Sequence, residues 1–245
     1  MIPIGDDVPE RRYPFVTYTL IGLNVLFFFV ELAQGPRLQE FIYRWGTVPA
    51  LVTRWPDQPE VLWTLFTSMF LHGGIAHLVG NMLYLNVYGK SLEGNMGPVR
   101  FLLFYLLCGL AGGVAHVMMN PASTVPAVGA SGAISGVLGA YLLFFPRATV
   151  YLVVPLFLFF PVVALPASFV LTWWFALQII GGMTSSAFMQ VGGGVAYWAH
   201  IGGFVAGMAL IYLFRRREDQ PFRYYGRPDR HYFERYRRHA GPMPF

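Results

Sequence analysis

Two residues within apolar stretches of the chain, Ser131 and His200, have the side chains that nucleophilic catalysis requires. A serine hydroxyl is a poor nucleophile unless a nearby base removes its proton, and imidazole is the usual base near neutral pH. His77 and Asn81 are four residues apart, so they share one face of a helix and can donate to the same atom. Such donors would stabilise the oxyanion of an acyl-transfer reaction. These residues predict a serine hydrolase built on a Ser131–His200 pair.

Further residues would complete or shape this site. Gly129 allows the backbone to approach closely, and the N–H of Ser131, near a helix N-terminus, would be a third oxyanion donor. His72 would either line the access of water or cap a helix, and we favour the structural role. Among the acids at or inside apolar stretches, Glu93 lies too deep and Glu31 is a conceivable partner for the histidine. We therefore expect a dyad without an acid.

The composition shows what kind of fold must position these residues. Of the 245 residues, 56% are hydrophobic and 12% are charged, against about 25% charged in ordinary soluble domains. This balance argues strongly against a soluble globular fold. A membrane span needs about 20 predominantly apolar residues, and six stretches qualify: 14–34, 74–92, 99–119, 126–145, 164–182 and 195–214. The sequence predicts an all-α fold, a polytopic membrane bundle of six transmembrane helices.

Two connections between these stretches are distinctive. Residues 150–163 are apolar, but two prolines and many Phe and Val residues disfavour another helix there. We expect this segment to be an interfacial or re-entrant connection. Residues 35–73 are expected to form a long, partly structured loop whose tryptophans lie near the lipid headgroups.

The distribution of basic residues predicts the orientation of the spans. If the spans alternate, loops 120–125 and 183–194 lie on the same side of the membrane and carry no charge. Cytoplasmic loops are enriched in Lys and Arg, so both termini are expected to be cytoplasmic. The chain then divides into a cytoplasmic N-terminal segment (1–13), a six-span membrane domain (14–214) and a basic cytoplasmic tail (215–245).

The C-terminal tail accounts for the net charge of the whole chain. It contains nine Arg and four acidic residues, a net charge of +5 that equals the total. Arginine clusters beside a span favour a cytoplasmic location and attraction to anionic lipid. We therefore expect the lipid bilayer, and no nucleic acid, as a partner.

The predicted topology places the four polar residues at one depth. Spans two, four and six all start at the outer face, so at 1.5 Å per residue their polar groups lie roughly 5–11 Å below that surface. Small-residue faces would let spans four and six pack closely and bring Ser131 to His200. These faces consist of Gly132, Gly136 and Gly139 on one span and Gly203 and Gly207 on the other.

Other chemistries are disfavoured by the residues present. Cys108 is the only cysteine, so a disulfide within the chain and a thiolate metal cluster are excluded. No His-Glu-x-x-His motif occurs, which disfavours a zinc protease. We expect no metal and no organic cofactor. A small transporter would require inverted repeats and polar residues near mid-bilayer, and neither pattern is found.

At these positions the sequence closely resembles the rhomboid family of intramembrane serine proteases, in its six-span, prokaryotic-type form. The resemblance covers about residues 14–214. Its motifs lie on the second, fourth and sixth spans, in the order of the family: the spacing of His72, His77 and Asn81; Gly129-Ala130-Ser131-Gly132; and Ala199-His200 followed by Gly203 and Gly207.

The resemblance implies Ser131 as the nucleophile, His200 as the general base, and His77 with Asn81 as oxyanion donors. It also implies substrates that are transmembrane segments of membrane proteins, cut near the membrane surface where their helix unwinds. The localisation implied is a multi-pass protein of a bacterial or archaeal cell membrane.

Two positions depart from the family pattern. Many rhomboids have a Trp-Arg pair in the first outer loop, where this chain has Trp63 followed by Thr64. Some members stack a tyrosine on the catalytic histidine four residues after the serine, and Ser135 occupies that position here. His200 must then be held by other packing, for which Tyr84, Tyr197 and Trp198 are the candidates.

An alternative function is a catalytically silent relative that binds or escorts transmembrane segments. It would be expected if the serine or the histidine were missing, and both are present. Gly181-Gly182 and Gly192-Gly193-Gly194 are candidate hinges for a lid or lateral gate. The sequence sets no oligomeric state.

Overall fold

A computed structural model describes residues 2–188 and 195–214, without the side chains of 185–188. Its helices are α1 (Phe15–Ala33), α2 (Leu38–Trp45), α3 (Pro49–Val52), α4 (Thr64–Thr67), α5 (Ile75–Tyr84), α6 (Lys90–Met96), α7 (Pro98–Met119), α8 (Ser131–Phe144), α9 (Ala167–Phe188) and α10 (Tyr197–Phe214). A π-helical turn, Leu85–Gly89, joins α5 to α6. The glycine hinge proposed at 192–194 and the tail 215–245 lie outside the described residues.

The long helices form the predicted helical membrane bundle. Each of the six predicted spans corresponds to one helix, with α5 and α6 together forming the second, although α9 extends beyond the predicted end at residue 182 to Phe188. Among the described residues, α1, α7, α9 and α10 are long and apolar enough to cross a membrane alone. Residues Ile75–Met96, which contain α5 and α6, are long and apolar enough only together with Pro59–Phe70, and an 80° bend lies between the two segments. Helix α8 is shorter, at 14 residues. The helical bundle is confirmed, and the count of six spans stays a prediction.

The start of α8 differs from the predicted start of span four. The segment before α8 is extended and bonded to the long first loop, because Thr47 and Ala127 exchange backbone hydrogen bonds of 3.0 and 2.8 Å. The N–H of Gly129 then donates to the carbonyl of Ser68 at 2.9 Å. These bonds replace helical ones, so α8 begins at Ser131 instead of residue 126.

A three-stranded antiparallel sheet accompanies the bundle. Strand β1 (Ile2–Asp6) pairs with β2 (Thr149–Val153), which pairs with β3 (Val162–Pro166). The apolar connection between α8 and α9 is thus not a helix, as expected, but a β-hairpin. Its interfacial or re-entrant position stays a prediction. The sheet adjoins the end of the bundle opposite Ser131, because Asp6 accepts a hydrogen bond from Tyr141 near the end of α8.

The buried carboxylate of Glu93 fixes the start of α1 against α6. It accepts hydrogen bonds from the backbone N–H groups of Val16 and Thr17, at 2.9 and 2.7 Å, and from the Thr17 hydroxyl at 2.7 Å. The first N–H groups of a helix lack partners within it. Glu93 therefore caps α1 and lies far from Ser131, as the sequence predicted.

The loop between α1 and α5 is partly structured, as expected. It contains α2, α3, α4 and three short 3-10 segments, Gly35–Arg37, Pro59–Trp63 and Ser68–Phe70. The side chains of Trp55 and Trp63 are exposed. This loop covers α7 and supplies the carbonyl of Ser68 that fixes the approach to α8.

Candidate active site

The structure brings Ser131 and His200 into direct contact. Ser131 is the first residue of α8, and His200 lies in the first turn of α10. Nε2 of His200 lies 2.8 Å from Oγ of Ser131, a hydrogen-bond distance. The imidazole is buried, with 9% of the residue exposed. This geometry allows the hydroxyl proton to pass directly to the imidazole.

Close packing of α8 and α10 produces this contact. A Cβ added to Gly203 or Gly207 of α10 would overlap the backbone carbonyl of Gly132 or Gly136 in α8. The two backbones are therefore in contact along the small-residue faces that the sequence predicted. On α7, a Cβ at Gly112 would come within 2.6 Å of the Ala199 carbonyl, which directly precedes His200.

The other side of His200 contacts α9. Nδ1 of the imidazole lies 2.8 Å from Oε1 of Gln178, a residue that is 8% exposed. The ring of Trp174, one turn earlier, has its centroid 5.9 Å from the imidazole centroid at an interplanar angle of 33°. Neither residue was among those predicted from the sequence. The signal was available, because Gln178 is a strongly polar residue inside a predicted span, and such residues are functional candidates.

His77 and Gly129 lie beside the Ser131 hydroxyl. Gly129 has a φ of 130°, and a Cβ added there would lie 2.9 Å from Nε2 of His77 and 3.5 Å from Oγ of Ser131. The absence of a side chain at Gly129 therefore leaves the space in which the imidazole of His77 and the hydroxyl face each other. Nδ1 of His77 accepts from the N–H of Gly73 at 3.4 Å, which leaves Nε2 as the ring donor toward the site.

The other two expected oxyanion donors are the side chain of Asn81 and the backbone N–H of Ser131. Asn81 lies one turn after His77 in α5 and is 7% exposed, but its amide nitrogen donates to the His77 carbonyl at 3.0 Å. In the part of the chain that the structure describes, no hydrogen bond joins Asn81 to Ser131. The N–H of Ser131 opens α8 at the position where a helical N–H has no partner within the helix.

His72 and Glu31 form a neighbouring buried contact. The backbone N–H of His72 donates to both carboxylate oxygens of Glu31, at 3.0 and 3.2 Å. The ring of His72 meets the ring of His77 edge to face, with centroids 5.2 Å apart. Glu31 thus supports the segment before α5, and Gln178 occupies the place beside His200 that a triad carboxylate would take.

A small cavity of about 30 Å³ borders Ser131. Ser68, Thr47 and His116 contribute its polar lining, and Nδ1 of His116 is buried with no hydrogen-bond partner among the described residues. A cavity of this size and polarity can hold a water molecule. The cavity therefore offers a place for a water molecule beside the Ser131 hydroxyl.

The helices and this site together define a helical membrane protein with a serine–histidine pair at one end of the bundle. The family described as Rhomboid domain matches residues 59–217. The chain therefore belongs to the rhomboid family, which confirms the resemblance drawn from the motifs.

Curated relatives agree with this family. The chain is 39% identical over 134 residues to "Rhomboid protease GluP" of Bacillus subtilis (strain 168), covering 54% of this chain and 25% of that protein. It is 33% identical over 198 residues to "RHOMBOID-like protein 1" of Arabidopsis thaliana, covering 80% and 46%. It is 34% identical over 133 residues to "Putative rhomboid protease YdcA" of Bacillus subtilis (strain 168), covering 54% and 63%. The chain spans less than two thirds of the length of each of these relatives.

Proposed function

We propose that this chain is an intramembrane serine endopeptidase that cuts transmembrane segments of membrane proteins. Ser131 is the nucleophile and His200 the general base. The observation that carries the proposal is the 2.8 Å contact between Oγ of Ser131 and Nε2 of His200 at the packed ends of α8 and α10. Two curated relatives named as rhomboid proteases support a proteolytic activity.

The first half of the reaction forms an ester. Oγ of Ser131 attacks the carbonyl carbon of the scissile peptide while its proton passes to Nε2 of His200. The negative charge that develops on the carbonyl oxygen is stabilised by donors from His77, Asn81 and the N–H of Ser131. The C–N bond then breaks, and the leaving amine takes the proton from Nε2.

The second half of the reaction hydrolyses the ester. A water molecule gives its proton to Nε2 of His200 and attacks the acyl carbon, and the proton returns to Oγ of Ser131 as the acid is released. The cavity beside Ser131 is a suitable source of this water. No metal or organic cofactor takes part in this scheme.

The position of the site indicates where along a transmembrane segment the substrate would be cut. Ser131, His77 and His200 all lie in the first turn of their helices, near one end of the bundle. A peptide bond in an intact helix is shielded by its own side chains and hydrogen bonds, so the substrate must unwind where it meets the site. We propose that cleavage occurs near the outer membrane face.

The charge distribution supports the orientation that this requires. We propose that the segment 1–13 and the tail 215–245 are cytoplasmic and flank the membrane domain 14–214. The arginines of the tail would then contact anionic lipid on the inner face. The proposed location is a bacterial or archaeal cell membrane.

The test is cleavage of a single-span reporter in liposomes by the wild type, Ser131→Ala and His200→Ala, with EDTA present throughout. We expect loss of cleavage in both variants and no effect of EDTA on the wild type. Cleavage by Ser131→Ala at the wild-type rate would refute the proposal.

The second candidate function is a silent binder or escort of transmembrane segments. Co-purification of the reporter with each variant in the same experiment distinguishes this binder from the protease. Wild-type protein that captures several reporters without cutting any of them would favour the binder.

A further inference from the structure

We infer that Gln178 is a positioning residue of this site, whose side-chain amide holds the His200 imidazole in the tautomer that leaves Nε2 free to accept a proton. The catalytic consequence rests on the proposed function. The positional claim concerns only the contact between α9 and α10 and can be tested without cleavage.

A second hydrogen bond sets the orientation of the Gln178 amide. Its Nε2 lies 3.2 Å from the backbone carbonyl of Trp174, one turn earlier in α9. A carbonyl oxygen only accepts hydrogen bonds, so the NH₂ group of the amide must face Trp174. Oε1 therefore faces His200, where it lies 2.8 Å from Nδ1.

The orientation of the amide decides the state of the imidazole. An amide oxygen is only an acceptor, so Nδ1 of His200 must carry the hydrogen. In a neutral imidazole the other nitrogen, Nε2, is then an unprotonated acceptor. This is the nitrogen that lies 2.8 Å from Oγ of Ser131. The chain of bonds from Trp174 to Gln178 to His200 thus leaves the base ready for the serine proton.

Packing fixes the orientation of the imidazole, in addition to the hydrogen bond that sets its tautomer. Gln178 and His200 are 8% and 9% exposed, so water competes little for either hydrogen bond. The ring of Trp174 lies against one side of the imidazole, and the stacked rings of Phe175 and Phe204 continue the same contact between α9 and α10. The imidazole therefore has a defined plane in which Nδ1 reaches Gln178 and Nε2 reaches Ser131.

Catalytic triads of soluble enzymes place a carboxylate beside the histidine. At this buried position within a membrane bundle, a glutamine is better suited than a carboxylate. Burial of an ionised carboxylate beside lipid costs far more than burial of a hydrogen-bonded amide. Among the described side chains, the titratable groups close enough to His200 to influence its charge are His77 and His116. Neither supplies a negative charge that would take the place of the amide as the partner of Nδ1.

The variants that test this role are Gln178→Met, which keeps the length of the side chain and removes the acceptor, and Gln178→Glu, which restores one. Gln34→Met is the matched control, because Gln34 makes the same side-chain bond to the carbonyl four residues earlier, at 3.0 Å, and among the described residues it has no hydrogen bond to His200. The first measurement is the nitrogen-15 spectrum of histidine-labelled protein in detergent. The His200 signals are assigned by their loss in His200→Ala.

We expect a protonated Nδ1 in the wild type, in Gln178→Glu and in Gln34→Met, and a mixture of tautomers in Gln178→Met. In the cleavage assay, Gln178→Met should lower kcat about 10- to 100-fold with KM nearly unchanged. Gln178→Glu restores an acceptor for Nδ1 but buries a carboxyl group, so it should recover part of that loss, and Gln34→Met should match the wild type.

Each outcome decides a separate point. A wild-type tautomer in Gln178→Met overturns the positioning role, even if kcat falls, because the loss would then come from packing. A mixed tautomer with unchanged kcat also overturns it. If Ser131→Ala cleaves like the wild type, the proposed function fails, whereas the tautomer spectra still decide whether Gln178 holds His200.

Discussion

The backbone of Gly207 in α10 lies directly against the carbonyl group of Gly136 in α8, with no room for a side chain between them. Along the same pair of helices, this contact lies five residues after Ser131 in α8 and seven residues after His200 in α10. Because the two helices are in backbone contact here, their first turns are held at the distance that the Ser131–His200 hydrogen bond requires. The proposed chemistry thus requires the close spacing of α8 and α10.

Gly207→Ala should lower both the thermal stability and the activity of the protein. The added methyl group overlaps the Gly136 carbonyl, so α8 and α10 must separate, and overpacking of this kind costs about 1–3 kcal/mol. We expect a lower unfolding midpoint in detergent and a fall in kcat. The measurement is thermal unfolding combined with the reporter assay.

Gly22→Ala in α1 is the control for this substitution, because a Cβ at Gly22 meets no atom within 4 Å. It should leave the midpoint unchanged or raise it, since alanine favours a helix over glycine by about 1 kcal/mol. Equal effects of the two substitutions would show that the packing of α8 on α10 is not the cause.

Gly129→Ala should impair cleavage more than it impairs folding. The new methyl group would lie 2.8 Å from Cε1 of His77, and the φ of 130° strains any residue with a side chain. Displacement of His77 removes a proposed oxyanion donor, and loss of such a donor costs about 10²–10³ in kcat. The measurement is kcat at saturating reporter.

Gly35→Ala separates backbone strain from the local clash, because Gly35 also has a positive φ, of 52°, but its Cβ would meet no neighbour within 4 Å. It should lower stability modestly and leave kcat unchanged. A Gly129→Ala variant with wild-type kcat would contradict the proposed role of His77.

Ionisation of Asp6 should make the protein less stable as the pH rises from about 4 to about 6. Burial raises the pKa of Asp6 to about 6 from an ordinary value of 3.8, although Ser91 and Tyr141 donate hydrogen bonds of 2.7 Å to its carboxylate. The folded state thus binds the proton more tightly than the unfolded state. The stabilisation is complete below pH 3.8 and is lost by pH 6, at most about 3 kcal/mol.

The measurement is the unfolding midpoint of the wild type and Asp6→Asn in detergent between pH 4 and pH 7. Asparagine stays neutral, so the difference between the two proteins should change across this interval. Asp57→Asn, at an exposed position, should follow the wild type at every pH. Parallel curves for the wild type and Asp6→Asn would remove Asp6 as the cause.

The sequence predicted the helices well because a membrane span leaves a strong local signal. Long apolar runs separated by Gly and Pro placed α1, α7 and α10 within a few residues of their structural bounds. The glycine faces of α8 and α10 were equally readable, since small residues at helical spacing mark close packing. Ser131 and His200 followed from the rule that polar residues inside spans are costly.

The sheet and the partner of His200 were missed for different reasons. Strand β1 pairs with β2, whose residues lie 144 to 151 positions later in the chain, and no local pattern in either segment indicates such a pairing. Gln178 was missed although the rule that found His200 applied to it equally. Its role depends on which span packs against α10, and that information comes from the tertiary structure.

The central claim is that Ser131 is a nucleophile activated by His200, and covalent labelling tests it most directly. The membrane-reconstituted protein is treated with a serine-directed fluorophosphonate, and the modified residue is identified by mass spectrometry. We predict a single adduct on Ser131, none in Ser131→Ala, and labelling at least about 100-fold slower in His200→Ala. An unlabelled Ser131 in a preparation that cleaves the reporter, or equal labelling rates with and without His200, would contradict the claim.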